Sequence, residues 1–555
     1  MKRFWISLLL MLALTLPGKA ATYYVDATYG EGGNGSQATP WDDLSDITGL
    51  AAGDTVKLRR ARIWREALPI SNSGTSGSPI TFTFYDVGAD PIISGSALLT
   101  PGSGNHWTLS GGGTSEYYWN ATGLTEPYAV WLNGTNQTKG TLGSLADHNW
   151  GWGNNDTLGY NTVYFKDVSG DPDTTGVTVE SAKLGNLVAA SGYSWLVFDT
   201  LEFRQTNPGT GMLYFANATN IIIQNCTLHD AVYRVLYCDA TSSNLTVNNN
   251  AIYNVLNSTY SSWIDLVHLA GVTTASIFRN NMFGNLSTNG AMLIVGGASS
   301  SVVIEKNYIG SSAGRNVIFQ ETATGNTLRY NLIRDGTKGV YFASTAGANK
   351  AYANLLVDLN IAILVGDGFA TTNDLIYNNT IYNEAHADYP GIKVVGSHAG
   401  TTIKNNIVWV KNNGGTGYAV NVDTTGPVLN NNRYHNSGSS SLTRWLTTNY
   451  TEAQFGSYQT ASGQDAASTV GDPSFTDRGA VNLTLASNSP CRDTGTNLGS
   501  PYDIALSPAT SYGDWLGTVA TLDQDDYTPW EQGAYVYTTT GGGSNVPVIS
   551  IRYRD

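Results

Sequence analysis

Cysteine, charge and long apolar runs are all scarce in this sequence. Its three cysteines, Cys226, Cys238 and Cys491, are too few and too unevenly spaced for a disulfide framework or a zinc site. A Cys226–Cys238 bridge is left open. Charged residues make up 13% of the chain, and 43 acidic against 29 basic side chains give a net charge of −14. That balance argues against nucleic acid as a partner, because phosphate binding needs a basic surface. No apolar pattern of period 3.6 lasts more than about two turns, so a helical fold is not expected. Beyond residue 20 no run is long and apolar enough to span a bilayer. Residues 1–20 read as a secretory signal, with Lys2 and Arg3 at the positive start and Phe4 to Leu16 as the apolar core. Gly18-Lys19-Ala20 offers small residues for cleavage, so the expectation is an extracellular or periplasmic protein maturing near Ala21.

In place of charge the chain has glycine, 62 copies, and a repeat. A short phrase recurs in which an Asn stands two residues before a large apolar side chain. It places Asn250, Asn281, Asn307, Asn331, Asn354, Asn379, Asn406 and Asn432 in one register, with Cys226 one unit earlier. The intervals are 24, 31, 26, 24, 23, 25, 27 and 26 residues. A period in this range marks a solenoid. Segments between the Asn positions are short, rich in Val, Ile, Tyr and Phe, and bounded by Gly, Asn, Ser and Thr, which reads as β-structure. A recurring Asn suits a sharp turn because it tolerates the left-handed region. Its amide both donates and accepts, so stacked copies can bond along the axis. Cys226, in the same register, reads as a buried packing residue.

The pattern resembles right-handed parallel β-helix proteins of the pectate-lyase-like superfamily, an architecture shared by many secreted polysaccharide-acting proteins. The fold class expected is therefore all-β, a solenoid with an Asn ladder and terminal caps. The organisation expected is a signal at 1–20, an N-terminal cap and early coils at 21–190 and the regular helix at 191–436. A capping region at 437–538 and a linker and tail at 539–555 follow. The resemblance implies that the third strand of each coil, with the turn before it, forms a substrate groove. Those strands read DLVHLAG, AMLIVGG, NVIFQET, GVYFAST, GIKVVGS and YAVNVDT.

The ladder serves as a ruler for stacking these strands. Strand alternation puts Val267, Leu269, Val317, Phe319, Val340, Phe342, Ile392 and Val394 inward. One outward column then reads Tyr237, His268, Ile294, Ile318, Tyr341 and Lys393. A second, three residues earlier, reads Arg234, Asp265, Ala291, Arg315, Lys338 and Pro390. One coil, between Tyr341 and Lys393, does not fit without an extra residue. Coils are about 4.8 Å apart, so a groove along the axis brings these side chains to one oligosaccharide.

A basic row in an acidic chain suits an anionic, uronate-containing polysaccharide, since Arg can hold a carboxylate bidentately. In a lyase, removing the proton next to a uronate carboxylate builds charge there, and nearby cations lower the barrier. His268, Lys393 and Tyr341 are the catalytic candidates, as base or, for Tyr341, as proton donor to the leaving oxygen. Arg234, Asp265, Arg315, Lys338, Gln320 and Glu321 are the substrate-binding candidates. Trp150, Trp152 and Tyr160 could stack on sugars.

Two other readings stay open. A glycoside hydrolase would need two carboxylates roughly 5–5.5 Å or 6.5–9.5 Å apart, with Asp265 and Glu321 as the candidates. A non-catalytic surface or carbohydrate-binding β-helix is the other. No metal ligands are assigned: Asp167, Asp171 and Asp173 in DVSGDPDTTG do not fit an EF-hand spacing. Calcium, common among similar lyases, remains an open alternative as cofactor. Polysaccharide is the expected partner, and a monomer the expected state.

Overall fold

The computed structural model describes residues 20–538, apart from 101–104, 112–114, 121–124, 154–161, 240, 257–259, 262–263, 272, 287–289 and 397. Residues 1–19 of the signal expected at 1–20, the tail at 539–555 and Tyr160 lie outside the described residues. The chain is a parallel β-helix. One face is a parallel sheet of 13 strands among the described residues, running from Thr22–Val25 to Val428–Asn430. The other two faces join in a second long sheet whose strands also pair in parallel, coil upon coil, up to an antiparallel pair, Thr443–Trp445 with Thr448–Tyr450, at its end. The first face carries the strand before each ladder Asn, the second the strand after it, and the third the strand that follows.

The Asn ladder is continuous and buried. Each amide from Asn250 to Asn406 donates Nδ2–H to Oδ1 of the next ladder Asn at 2.9–3.0 Å. The same Oδ1 also accepts the backbone N–H of the preceding ladder residue, for example Asn331 N–H to Asn354 at 3.0 Å. Cys226 starts the ladder, its N–H donating to Asn250 Oδ1 at 2.9 Å. The left-handed turn, however, falls one residue earlier than expected. Asn225, Asn249, Asn280, Lys306, Tyr330, Ala353, Asn378, Asn405 and Asn431 have φ between 51° and 58°. The two tasks are split: one residue bends the chain and the next bonds along the axis. This explains the frequent Asn-Asn pair, with Asn favoured at the bend for its tolerance of positive φ and at the ladder for its amide.

A second ladder was not foreseen. Asn326 Nδ2–H donates to Asn349 Oδ1 at 2.9 Å, and Asn349 N–H to Asp374 Oδ1 at 3.0 Å. It occupies the turn between the third and first faces. Inside the ladders one apolar core runs from Val25 to Tyr458, including the inward residues predicted from alternation. All three cysteines are free and buried, so Cys226 and Cys238 pack in the core without a bridge.

Two irregular parts frame the helix. After Ile92–Ser94 the chain leaves the solenoid and returns at Val188–Ser191. Between them two small antiparallel sheets enclose Trp107, Trp119, Trp150, Val163 and Phe165. Trp150 is therefore a core residue of this insertion, and Trp152 packs partly buried against it. At the other end, the helix Phe455–Ser462 closes the last coil. Asp465 there receives the final ladder amide, Asn432, at 3.2 Å and the Tyr458 hydroxyl at 2.7 Å. The following segment folds back along the corner between the first and second faces. Phe475 and Tyr535 pack there in one cluster with Tyr382 and Trp409, and Ala534 N–H donates to Thr380 at 2.9 Å.

Where the insertion joins the solenoid, polar groups are buried together. Glu180 binds Arg65 at 2.6 Å and Ser96 at 2.9 Å. Next to it His229 lies between Asp230 at 2.9 Å and Glu202 at 3.2 Å, its ring stacked on Tyr253. Burial opposes a charge on His229, but the two carboxylates more than offset it and hold its pKa up at about 9. A histidine free in the unfolded chain titrates near 6.5. The bound proton therefore stabilises the fold fully below about pH 6.5, and the gain is lost as pH rises through about 9, an effect of about 3 kcal/mol. Urea midpoints should accordingly fall between pH 6.5 and 9.5, and His229→Gln should remove that fall. The same fall in both proteins would count against the assignment.

Candidate functional site on the third face

The paired register of the third face reproduces the columns read from sequence. Tyr237, His268, Ile294, Ile318 and Tyr341 are successive Cα partners, as are Arg234, Asp265, Ala291, Arg315 and Lys338. The coil that did not fit places Leu364 beside Tyr341 and Lys393 beside Leu364. Leu364 stands 15 residues before Asn379, whereas His268 stands 13 before Asn281. The extra length lies in the loop after Leu355–Gly366, which carries Asp367 and Phe369.

The row is not uniformly polar. Ile294, Ile318, Leu364 and Ala291 bury one another with Tyr341 and Ala343 in an apolar cluster on the outside of the sheet. They divide the candidates into two groups. The first is Arg234, Asp265 and His268. Asp265 is fully buried, and its Oδ2 is 3.0 Å from His268 Nδ1 and 3.6 Å from Arg234 Nε. Its Oδ1 accepts Ala291 N–H at 3.2 Å. A carboxylate held this way fixes the ring: Nδ1 carries the proton, and the Nε2 lone pair is left to act. The Arg234 guanidinium lies 4.2 Å from the Tyr233 ring centre and 4.5 Å from that of Tyr237. Stacking uses the faces of a guanidinium and leaves its in-plane N–H groups to bond an anion. Tyr237 meets His268 edge to face at 5.5 Å and stacks on Tyr214 at 5.9 Å.

The second group is Arg315, Lys338 and Tyr341. Lys338 Nζ is 3.2 Å from Asp367 Oδ2 and 4.4 Å from the Tyr341 ring centre. Burial lowers the Lys338 pKa, opposed by Asp367 and reinforced by the nearby charges of Arg315 and Lys393. Tyr341 is 5% exposed, and its hydroxyl donates to the Asp367 carbonyl at 3.4 Å. Burial, with Asp367, pushes its pKa up to about 12. Tyr341 is three coils from His268, about 14 Å, and Lys393 is five coils away, about 24 Å, so the three catalytic candidates do not meet at one bond.

Gln320 and Glu321 lie at the far end of their strand. Glu321 Oε2 accepts Gly297 N–H at 2.5 Å, and Gln320 Nε2 is 3.4 Å from Glu321 Oε1. Glu321 is two coils and six residues from the Asp265 register, roughly 20 Å, well beyond the separation an inverting pair needs. Near the N-terminus, Arg59 and Arg62 both bind Asp26, at 2.6 and 2.9 Å. Sequence reasoning placed Tyr237 in the column without a role and passed over Tyr233 and Tyr260; their position in the turns before the third-face strands was the available signal.

Among the described residues two groups could gather carboxylates around a metal ion, Asp147 with His148 and Asp167, and Asp503 with Asp523 and Asp525. Several of these carboxylates already accept protein hydrogen bonds, while Asp503 Oδ1 is buried without a partner among the described residues. Asp167 accepts Ser169 N–H, Asp523 accepts Asp525 N–H, and Asp525 accepts the Trp530 indole. Neither group belongs to the third face.

No protein-family model and no curated protein matches the chain. Solved structures similar to it include XylC in complex with xylose, at 13% identity and a TM-score of 0.47, covering 76% of both chains. A rhamnogalacturonan lyase matches at 12% identity and 0.41, covering 70% of this chain and 87% of the other. Pectate lyase Pel9A matches at 10% and 0.37, covering 86% and 92%.

Proposed function

We propose that this chain is an exported carbohydrate-active enzyme, a lyase that cleaves an anionic, uronate-containing polysaccharide by β-elimination on the third face. One observation carries this reading: a fully buried carboxylate, Asp265, orients a histidine toward the outer surface beside an arginine stacked between two tyrosines. In the proposed step Arg234 binds the uronate carboxylate and stabilises the charge that grows on it. His268 Nε2 takes the proton from the adjacent carbon. The electron pair left behind forms the carbon–carbon double bond, and the bond to the glycosidic oxygen breaks. Tyr237, one coil from His268, returns a proton to that oxygen. Burial, with Asp239, raises the Tyr237 pKa, which keeps its hydroxyl protonated at neutral pH. Asp265 acts through His268 and is a positioning residue.

Export agrees with the N-terminal sequence, and no helix among the described residues is long and apolar enough to cross a membrane. The test is to incubate the mature protein with uronate-containing and neutral polysaccharides while following ultraviolet absorbance of unsaturated ends and reducing ends in parallel. Both signals rising together on a uronate polymer support the reading. Reducing ends alone point to hydrolysis, and neither signal leaves the chain without this activity.

A further inference from the structure

Among the described residues the N-terminal insertion meets the turns of the third face through an apolar contact. Its Ala129 and Trp131 pack with Val232 and Leu256 of the solenoid. Those two residues lie in the turns before Arg234–Asp239 and Asp265–Leu269, the strands that carry Arg234 and His268. Asn207 fastens the contact by accepting Tyr128 N–H at 3.0 Å and donating to the Glu126 carbonyl at 3.3 Å.

This contact assembles a run of rings. Tyr128 of the insertion meets Tyr260 at 5.2 Å and 80°. Tyr260 meets Tyr233 at 5.3 Å and 73°. Tyr233 lies under the Arg234 guanidinium, which lies on Tyr237, which stacks on Tyr214. Tyr260, in the middle of this packing, is nevertheless 43% exposed. Two T-shaped contacts hold the ring and still leave much of its surface open.

We propose that Tyr260, with Tyr233 and Tyr128, is a sugar-stacking subsite adjoining Arg234, and that the insertion completes it. The occupant is a pyranose ring of an anionic polysaccharide. Such a ring has an apolar C–H face and a polar rim, the counterpart of a tyrosine's apolar face and hydroxyl. Charge selects the anionic polymer: the chain carries a net −14, yet the cation in this stack is Arg234. The subsite is continuous with the proposed catalytic group through Tyr237, and its location rests on that reading. The insertion thereby becomes the element that sets which sugar can lie next to the cleaved bond.

The test is electrophoresis of the mature protein through gels containing polygalacturonate, alginate or hyaluronate, with xylan as the neutral polymer. The wild type should be retarded by at least one anionic polymer. Tyr260→Ala should weaken that retardation about tenfold in apparent Kd, and Tyr260→Phe should restore it. Tyr128→Ala, in a different element, should weaken it in the same direction and decides the matter if Tyr260→Ala fails to fold. Wild-type retardation in both alanine variants would overturn the inference, as would a wild type retarded by no anionic polymer. Binding is read separately from cleavage: a wild type that binds in a Tyr260-dependent way but yields no unsaturated product sinks the lyase and leaves the subsite standing.

Discussion

His268→Ala is expected to lower kcat on the cleaved polysaccharide by about 10³-fold, the scale of a lost general base. The expectation follows from geometry. Asp265, buried beneath the sheet surface, engages Nδ1 at 3.0 Å and leaves Nε2 as the free basic position. The ring belongs to no core cluster but partners the buried Asp265, so His268→Ala should lower stability while keeping the fold, checked by circular dichroism before kcat is compared. Asp265→Asn offers an amide that can donate to Nδ1, which favours the wrong tautomer, and should lower kcat while KM changes little. Lys393→Ala and Tyr341→Ala provide the contrast. Lying about 24 and 14 Å from His268, they should change KM more than kcat. A His268→Ala protein with wild-type kcat would remove His268 from the chemistry.

The second large effect concerns stability. Asp374 takes a position in the second ladder that the preceding coils fill with Asn326 and Asn349. It is fully buried, and its Oδ2 has no hydrogen-bond partner among the described residues. Burial raises its pKa from 3.8 to about 7. The folded state thus holds a proton that the unfolded chain gives up. As pH rises from 3.8 toward 7 the fold loses stability, reaching about 4 kcal/mol above pH 7. An asparagine keeps the acceptor for Asn349 N–H and carries no charge. Asp374→Asn should therefore raise the urea midpoint strongly at pH 8 and barely at pH 3.5. An equal shift at both pH values would show that packing, not ionisation, is responsible.

Much of this architecture was legible because the ladder residues cannot vary freely. An amide that donates and accepts along the axis is hard to replace, so eight asparagines hold one register and fix the coils. Once the coils are fixed, strand alternation orders the third face, and the Arg234–Asp265–His268 neighbours follow. What was hidden depends on irregular backbone. Two extra residues in one loop displaced the register at Leu364 and brought Asp367 over Lys338 and Tyr341. The insertion has no period, so nothing in its sequence indicated that Tyr128 meets Tyr260 across the fold. The second ladder escaped notice because only two of its positions are Asn and the third is Asp374. The apolar break at Ile294 and Ile318 was visible in the column, yet side-chain identity alone did not show that these residues bury one another outside the sheet.

The central claim is that the third face breaks a uronate polymer by elimination with His268 as base. Mass spectrometry of the products tests it most directly, since elimination and hydrolysis leave different masses at the same bond. The account predicts oligosaccharides whose new non-reducing end is lighter by one water, formed by the wild type and absent with His268→Ala. Products carrying the full added water, or unsaturated products that persist in His268→Ala, would contradict it.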